Sequence, residues 1–478
     1  MTVVTDKGPV FGQRHVQAVL LFTCLAVNYL TKYNASICVV AMTNAATTNP
    51  NFPEYDWSPK EKSYILSSYF WGYIVTQFPG GNICRLFGVK ATLLVCTLGS
   101  SLAGLVVPLT VDWGGWKIYC AVRVIQGMFQ GLNLPCVHAH LAMWSPVEER
   151  NRLGALASSG TECGIVLSIF VSGRIAASNL GWPGIFYIFC GVGVIWCFIW
   201  MFFASNTPSE SKFITENERN YIESSKNAMK EKKESEMLPQ SIPVPWKAIL
   251  CSTPFWALLV VRSAESWGFA TIQGQMPTYM NGVYGMDMKS NALYSALPYL
   301  ALWSLTYVYL LVADILLNRK ILSLNALRKL INSIGFWVPS IGLIAVGFIE
   351  NDQQTAAVAL MIGIVGINAG NVIGSNLNTI DLSPNHAGVL MSLVHASASI
   401  WPMVAPIMVA AIVQDESDRT EWQIVFAIAA AVFFFGNLIY IIFGTTNLQK
   451  WDDPYFLQDK SIPVAASFVD AKHFEEVY

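Results

Sequence analysis

Along the chain, long apolar runs alternate with short polar breaks about twelve times. One charged stretch, near residues 205–250, divides the runs six and six. Each run reaches roughly 20 residues, the length at which a helix crosses the hydrocarbon core of a bilayer. The pattern predicts spans at about 16–42, 62–83, 91–111, 117–144, 153–178, 182–204, 254–282, 291–316, 329–349, 354–378, 386–414 and 421–445. The fold class that follows is an all-α membrane protein of twelve transmembrane helices in two six-helix bundles. The bundles occupy 16–204 and 251–445, joined by a linker at 205–250 and flanked by tails at 1–15 and 446–478.

Two equal sets of six are a common plan of secondary transporters, whose solute site lies near the midplane between the halves. Lys and Arg concentrate in cytoplasmic loops of membrane proteins. Arg85, Lys90, Arg150, Arg152, Arg319, Lys320, Arg328 and Lys329 fall on one side, against Lys60, Lys117, Lys289 and Arg419 on the other. Both tails are therefore expected to be cytoplasmic. The first run is too long for the roughly 7–15-residue core of a signal peptide and reads as a retained span.

Composition sharpens this picture. Of 478 residues, 54% are hydrophobic and 13% charged, against about 25% charged in soluble domains. A net charge of -2 gives no footprint for nucleic acid. The 10 Cys lie in or beside apolar runs with no CxxC spacing, which argues against a disulfide framework or a zinc site. No nucleophile, base and orienting residue occur as a set, so an enzyme is not expected.

The linker carries Lys226, Lys230, Glu231, Lys232, Lys233, Glu234 and Glu236 before Pro239, Pro243 and Pro245. Thr215 and Glu218 have capping-box spacing and predict a short helix through Tyr221 and Ile222. The charge run otherwise reads as solvated, with no specific partner. Basic turns follow the second span of each half, at Arg85 to Lys90 and at Arg319 to Lys329, consistent with parallel repeats. The sequon Asn34-Ala35-Ser36 lies inside span one, out of reach of glycosylation. His138, His140, His386 and His395 show no metal-ligand pattern and read as packed histidines.

A charge near the bilayer centre costs at least roughly 2.5–3.5 kcal/mol, so it persists where it faces protein or water. Lys32, Arg123, Glu162, Arg262, Glu265 and Asp314 are the candidates. Arg123, Gln126 and Gln130 share a helix face, and Gly127 and Gly131 form a small-xxx-small pair that admits a neighbouring helix. A guanidinium binds carboxylate or phosphate through two planar donors, and a Lys acts as a point charge. Asn28, Lys32 and Ser36 form a polar stripe on span one, with Asn34 beside it. Snorkelling to the interface is the alternative for both cations. Glu265 and Glu162 are candidates for coupling to a cation. Arg262 is one turn from Glu265, so mutual neutralisation is an equal reading. Span ten carries Asn368, Asn371, Ser375 and Asn378 along one stripe, with Asn376 nearby. These amides either contact solute or sodium or hold helices together.

These residues carry a resemblance. The chain resembles the anion:cation symporter family of the major facilitator superfamily, over about residues 10–450. The matching stretches are Tyr69 to Gly81, Arg123 to Gly131 with Pro135 and His138, Trp144-Ser145-Pro146 with Glu149-Arg150, Ser266-Trp267 with Pro277 and Tyr279, and Asn376 to Pro384 containing Asp381. Similarity is strongest to the insect proteins called "putative inorganic phosphate cotransporters". The resemblance implies the major facilitator fold, alternating access, and contact between Arg123 and an anionic solute. It departs at Lys32, where the family usually has Arg; at Gln130, where an acid is usual; at Ser67 and Glu265, where the vesicular glutamate members have His and Arg; and at Glu162, where relatives often have Gln.

The expectation is therefore a transporter moving a small anion, inorganic phosphate first, together with Na⁺ or H⁺. Lys32, Arg123, Gln126, Gln130 and Asn34 would bind the anion. Glu265, Glu162, Asn376 and Asn378 would serve the coupled ion. No resident cofactor or metal is expected, the chain is expected to be a monomer, and the plasma membrane is favoured. The alternatives are a proton-coupled organic-anion transporter of lysosomes or vesicles, and a non-transporting receptor of the same shape.

Overall fold

A computed structural model describes residues 9–46, 48–77, 79–146, 149–235, 244–350, 352–453 and 456. Nine helical stretches among them are long and apolar enough to cross a membrane. One of these, Val89–Trp144, spans 56 residues and contains two spans, three and four. The chain turns between them at Gly115, whose φ of 57° and ψ of -152° suit only a residue without Cβ. Two more spans are too polar for that count. Span two, Pro59–Gln77, begins with Lys60, Glu61 and Lys62. Span seven, Thr253–Tyr284, holds Arg262, Glu265, Gln273 and Gln275. Together these make the twelve helices that the apolar pattern predicts.

The remaining spans are Gln13–Thr43 (one), Gly160–Ala176 preceded by Arg150–Ser158 (five), Gly181–Phe203 (six), Met288–Asn318 (eight), Leu324–Gly347 (nine) and Arg419–Phe443 (twelve). Two others are interrupted. Span ten runs through Gln354–Asn368, a π-helical turn at Val372–Asn376, and Asn378–Leu382. Span eleven is split into Ala387–Ala398 and Trp401–Ile412. The π turn displaces the register of the polar stripe predicted on span ten. Its amides are used in packing: Asn368 donates to the Gly335 carbonyl (2.9 Å) and Asn378 to the Tyr440 hydroxyl (2.9 Å).

Within the first half, spans two and four approach closely because glycines face backbone. A Cβ on Gly127 would lie 1.9 Å from the Tyr69 carbonyl oxygen, and one on Gly72 would lie 2.0 Å from that of Val124. The predicted small-residue pair is thus the contact surface with span two. The halves meet through spans one and seven, two and eleven, and five and eight.

The linker departs from the sequence reading. Its helix, Glu216–Ser235, is docked at its first turn. Glu218 is buried and accepts from the backbone N–H groups of Gln13 (2.8 Å) and Arg14 (2.9 Å), at the start of span one. A carboxylate there satisfies free helix-end donors and meets the positive end of the dipole. Arg14 also reaches Glu218 (3.1 Å) and holds both oxygens of Glu149 (2.6 and 3.1 Å). The charge run after this first turn did not disclose that partner, 204 residues away in sequence.

Candidate functional site

Between the halves lies a cavity of about 250 Å³. Spans one, two and four bring Lys32, Tyr73 and Arg123 to it, and spans seven and eleven bring Glu265, Phe269 and His395. The wall is mostly aromatic and aliphatic, with few charges.

Lys32 lines the cavity from span one. Its ammonium is surrounded by the rings of Phe70 (4.9 Å), Tyr33 (5.0 Å), Tyr73 (5.0 Å), Tyr29 (5.1 Å) and Tyr69 (5.3 Å). Ring faces attract a cation by their quadrupole without neutralising it. Among the described residues no carboxylate pairs with Lys32. No acid among them therefore competes with an anion for this side chain. The sequence held this signal in Tyr29, Tyr33 and the Tyr69-Phe70 to Tyr73 stretch, but the rings come from two spans whose register only the fold fixes.

Arg123 is only 2% exposed and largely occupied. One terminal nitrogen donates to the Lys32 carbonyl (2.9 Å) and the other to the Thr31 carbonyl (3.3 Å) and to Gln126 Oε1 (3.3 Å). Its guanidinium also lies over the Tyr69 ring (4.8 Å). It thus fixes the turn of span one that carries Lys32, while part of it reaches the cavity wall.

The other sequence candidates separate. Gln126 and Gln130 do share the face of Arg123, but neither lines the cavity. Gln126 donates to the Ser100 carbonyl (3.3 Å). Gln130 accepts from Tyr69 (2.6 Å) and donates to Thr31 (2.9 Å) and Ser100 (2.8 Å). Asn34 is buried away from the cavity. Glu162 lies off the cavity wall and accepts from its neighbour Thr161 (2.6 Å). Asn376 and Asn378 also lie outside the cavity. Asp314 is exposed on span eight. Ser36 of the span-one stripe does line the cavity.

Glu265 lines the opposite wall beside Arg262, with 3.5 Å between Arg262 and its Oε2. Arg262 also donates to Asn371 Oδ1 at 3.2 Å, which ties the stripe of span ten to this wall. His395, read from sequence as a packed histidine, also faces the cavity.

Comparison with known proteins bears on this arrangement. The family model described as "Major Facilitator Superfamily" matches residues 21–406. The chain belongs to the Major Facilitator Superfamily. Within the superfamily, this member resembles the anion:cation symporters. It is 37% identical to a Drosophila melanogaster protein named "Putative inorganic phosphate cotransporter", over 93% of this chain and 87% of that one. It is 30% identical to human sialin, over 92% and 90%, and 30% identical to zebrafish (Danio rerio) vesicular glutamate transporter 3, over 94% and 76%. These relatives are transporters, not enzymes. Among solved structures, a bacterial homologue of the human lysosomal transporter Spinster, inward-facing, superposes with a TM-score of 0.66 at 13% identity, covering 94% of this chain and 99% of that one. The xylose transporter XylE from E. coli, in a partially occluded inward-open conformation, gives 0.66 at 15%, covering 90% and 98%. This superfamily member is a multi-pass membrane transporter of a small solute.

Proposed function

We propose that this chain is a secondary active transporter that moves a small anion with Na⁺ or H⁺ by alternating access. The observation that carries the reading is the Lys32 ammonium, held among five rings and, among the described residues, with no carboxylate partner. Lys32 is the direct anion contact, with Arg123 beside it. Glu265 is the first choice for the coupled cation, as a carboxylate on the facing wall.

The favoured cargo is an organic carboxylate. Leu66, Phe70, Phe269, Leu134, Pro402 and Pro406 offer apolar surface, and such surface gains from an apolar body on the ligand. Inorganic phosphate is the second reading, favoured by the name of the 37% identical Drosophila relative. The loop charges favour a cytoplasmic location for both termini, and the plasma membrane is favoured over a vesicular or lysosomal one.

The test is uptake into proteoliposomes of labelled phosphate and of aliphatic and aromatic carboxylates, under an imposed Na⁺ or proton gradient. Concentrative uptake of a carboxylate, competed weakly by phosphate, is expected. Uptake of phosphate alone would reverse the order of the two readings. Binding without uptake of any anion would favour a receptor.

A further inference from the structure

Span two presents one continuous face from end to end of the cavity. Lys62, Leu66, Phe70, Tyr73 and Gln77 follow at spacings of four, four, three and four, which is one side of a helix. Leu66, Phe70, Tyr73 and Gln77 line the cavity. Leu66 and Lys62 also line a separate crevice of about 10 Å³, shared with Ser63, Gln275, Thr278 and Glu416. That volume is about one water. The crevice adjoins the cavity at Leu66, on the side where span one finishes at Thr43.

Each end of this face is bonded to the other half of the molecule. Lys62 pairs with Glu416, just beyond span eleven, at 2.8 Å. It is the one ion pair between the halves among the described residues. At the other end, Ser399 donates to Gln77 Oε1 at 2.9 Å. Both partners sit at helix breaks: Gln77 ends its helix, and Ser399 lies between the two parts of span eleven.

We propose that the facing surfaces of spans two and eleven are the gating seam of the transport path. Lys62–Glu416 is the latch at the Thr43 end, and Gln77–Ser399 is the latch at the linker end. The tiny crevice, walled also by Val409, Ala410, Val413 and Trp422, is the access route at the Thr43 end, collapsed in this conformation. The proposal rests on the transport reading above.

The two latches are unequal. The Ser399 hydroxyl has one hydrogen and a second acceptor on its own helix, the His395 carbonyl at 2.8 Å. It can leave Gln77 without leaving a donor unmade. The Lys62–Glu416 bond joins two full charges, and charge-assisted bonds are about twice as strong as neutral ones. Asn44 and Asn281 reinforce the Thr43 end at 3.0 Å. The linker end therefore opens first from this conformation.

The test uses the purified full-length protein in lipid nanodiscs, where a reagent reaches both faces. Ser63→Cys places a thiol in the crevice, where Ser63 is 4% exposed. The chain without that change gives the background from native cysteines. Labelling by a hydrophilic maleimide should be slow with Ser63→Cys alone and several-fold faster with Lys62→Gln or Glu416→Gln added. The swapped pair Lys62→Glu with Glu416→Lys should return it to the slow rate. Gln77→Ala should not accelerate it. Unchanged labelling in both neutralised variants, with normal gel-filtration profiles, would overturn the proposal, as would equal acceleration by Gln77→Ala. Accessibility needs no cargo, so failure of the uptake panel leaves this result interpretable.

Discussion

The ammonium of Lys32 and the guanidinium of Arg123 lie in one cavity but do different work. Lys32 has rings around it and, among the described residues, no acid paired with it; Arg123 spends its donors on the Thr31 and Lys32 carbonyls. Lys32→Gln should therefore fold normally and lose uptake, read as background transport at unchanged surface expression and melting temperature. Arg123→Lys should lose uptake and melt lower. A Lys cannot reach both carbonyls with planar donors, and a hydrogen bond from a charged group is worth roughly 1.5–3 kcal/mol. Equal melting temperatures for the two variants would remove the distinction. The presence of both cations was legible in the sequence, because a charge inside an apolar run is rare. Their partners were not, since a ring cage and a side-chain-to-carbonyl bond depend on how spans one, two and four turn toward each other. A further residue-level prediction concerns the node where span one begins. The hydrogen bond from Arg14 holds the Glu149 carboxyl below its ordinary range. A depressed folded pKa adds stability above the unfolded value and loses it as pH falls through the folded one. Glu149→Gln should accordingly lower the melting temperature at neutral pH, and the gap to the parent should narrow below about pH 4. A gap that stays constant with pH would exclude this ion pair as its source.

Helices carry the next level of explanation. Spans two and seven fall short of the hydropathy of a lipid-facing helix in part because polar residues face the path between the halves: Gln77, Arg262, Glu265 and Gln273 line the cavity, and Lys62 and Gln275 the crevice at its end. Their low apolarity was visible in the sequence, and the cavity supplies part of its cause. The spacing of Gly127 and Gly131 foretold a close neighbour, and span two is that neighbour. Gly127→Leu should lower the melting temperature strongly, since even a Cβ would sit 1.9 Å from the Tyr69 carbonyl oxygen. Overpacking costs typically about 1–3 kcal/mol. Gly154→Ala is the control, because a Cβ there meets nothing within 4 Å. Similar melting temperatures for the two variants would contradict the packing account. What the sequence concealed at this level is long-range. Glu218 reaches Arg14 across 204 residues, and Lys62 reaches Glu416 across 354. No local periodicity reports such pairs.

At the scale of the whole molecule, the cavity has a cationic wall from the first half, with Lys32 and Arg123, and a wall from the second that carries Arg262 beside the carboxylate of Glu265. Lys32 and Glu265 line the same cavity from different halves, which is the arrangement that coupling between an anion at one and a cation at the other requires. Glu265 is the strongest candidate for that linkage among the intramembrane acids. Glu162 lies off the cavity wall, and Asp314 is exposed on span eight. The competing account makes Glu265 a structural partner of Arg262. Breaking a buried pair costs roughly 3–5 kcal/mol when the surviving charge is left without a partner. Here the pair is long, at 3.5 Å, and Arg262 keeps its bond to Asn371 at 3.2 Å. Glu265→Gln also leaves an amide oxygen where the carboxylate stood. The variant should therefore express and fold near normally. In proteoliposomes it should exchange labelled anion for unlabelled anion, yet fail to concentrate it under a Na⁺ or proton gradient. Loss of folding would assign Glu265 to the Arg262 pair instead. Normal folding together with gradient-driven accumulation would exclude both roles, and the coupled ion would then have to bind away from the facing wall.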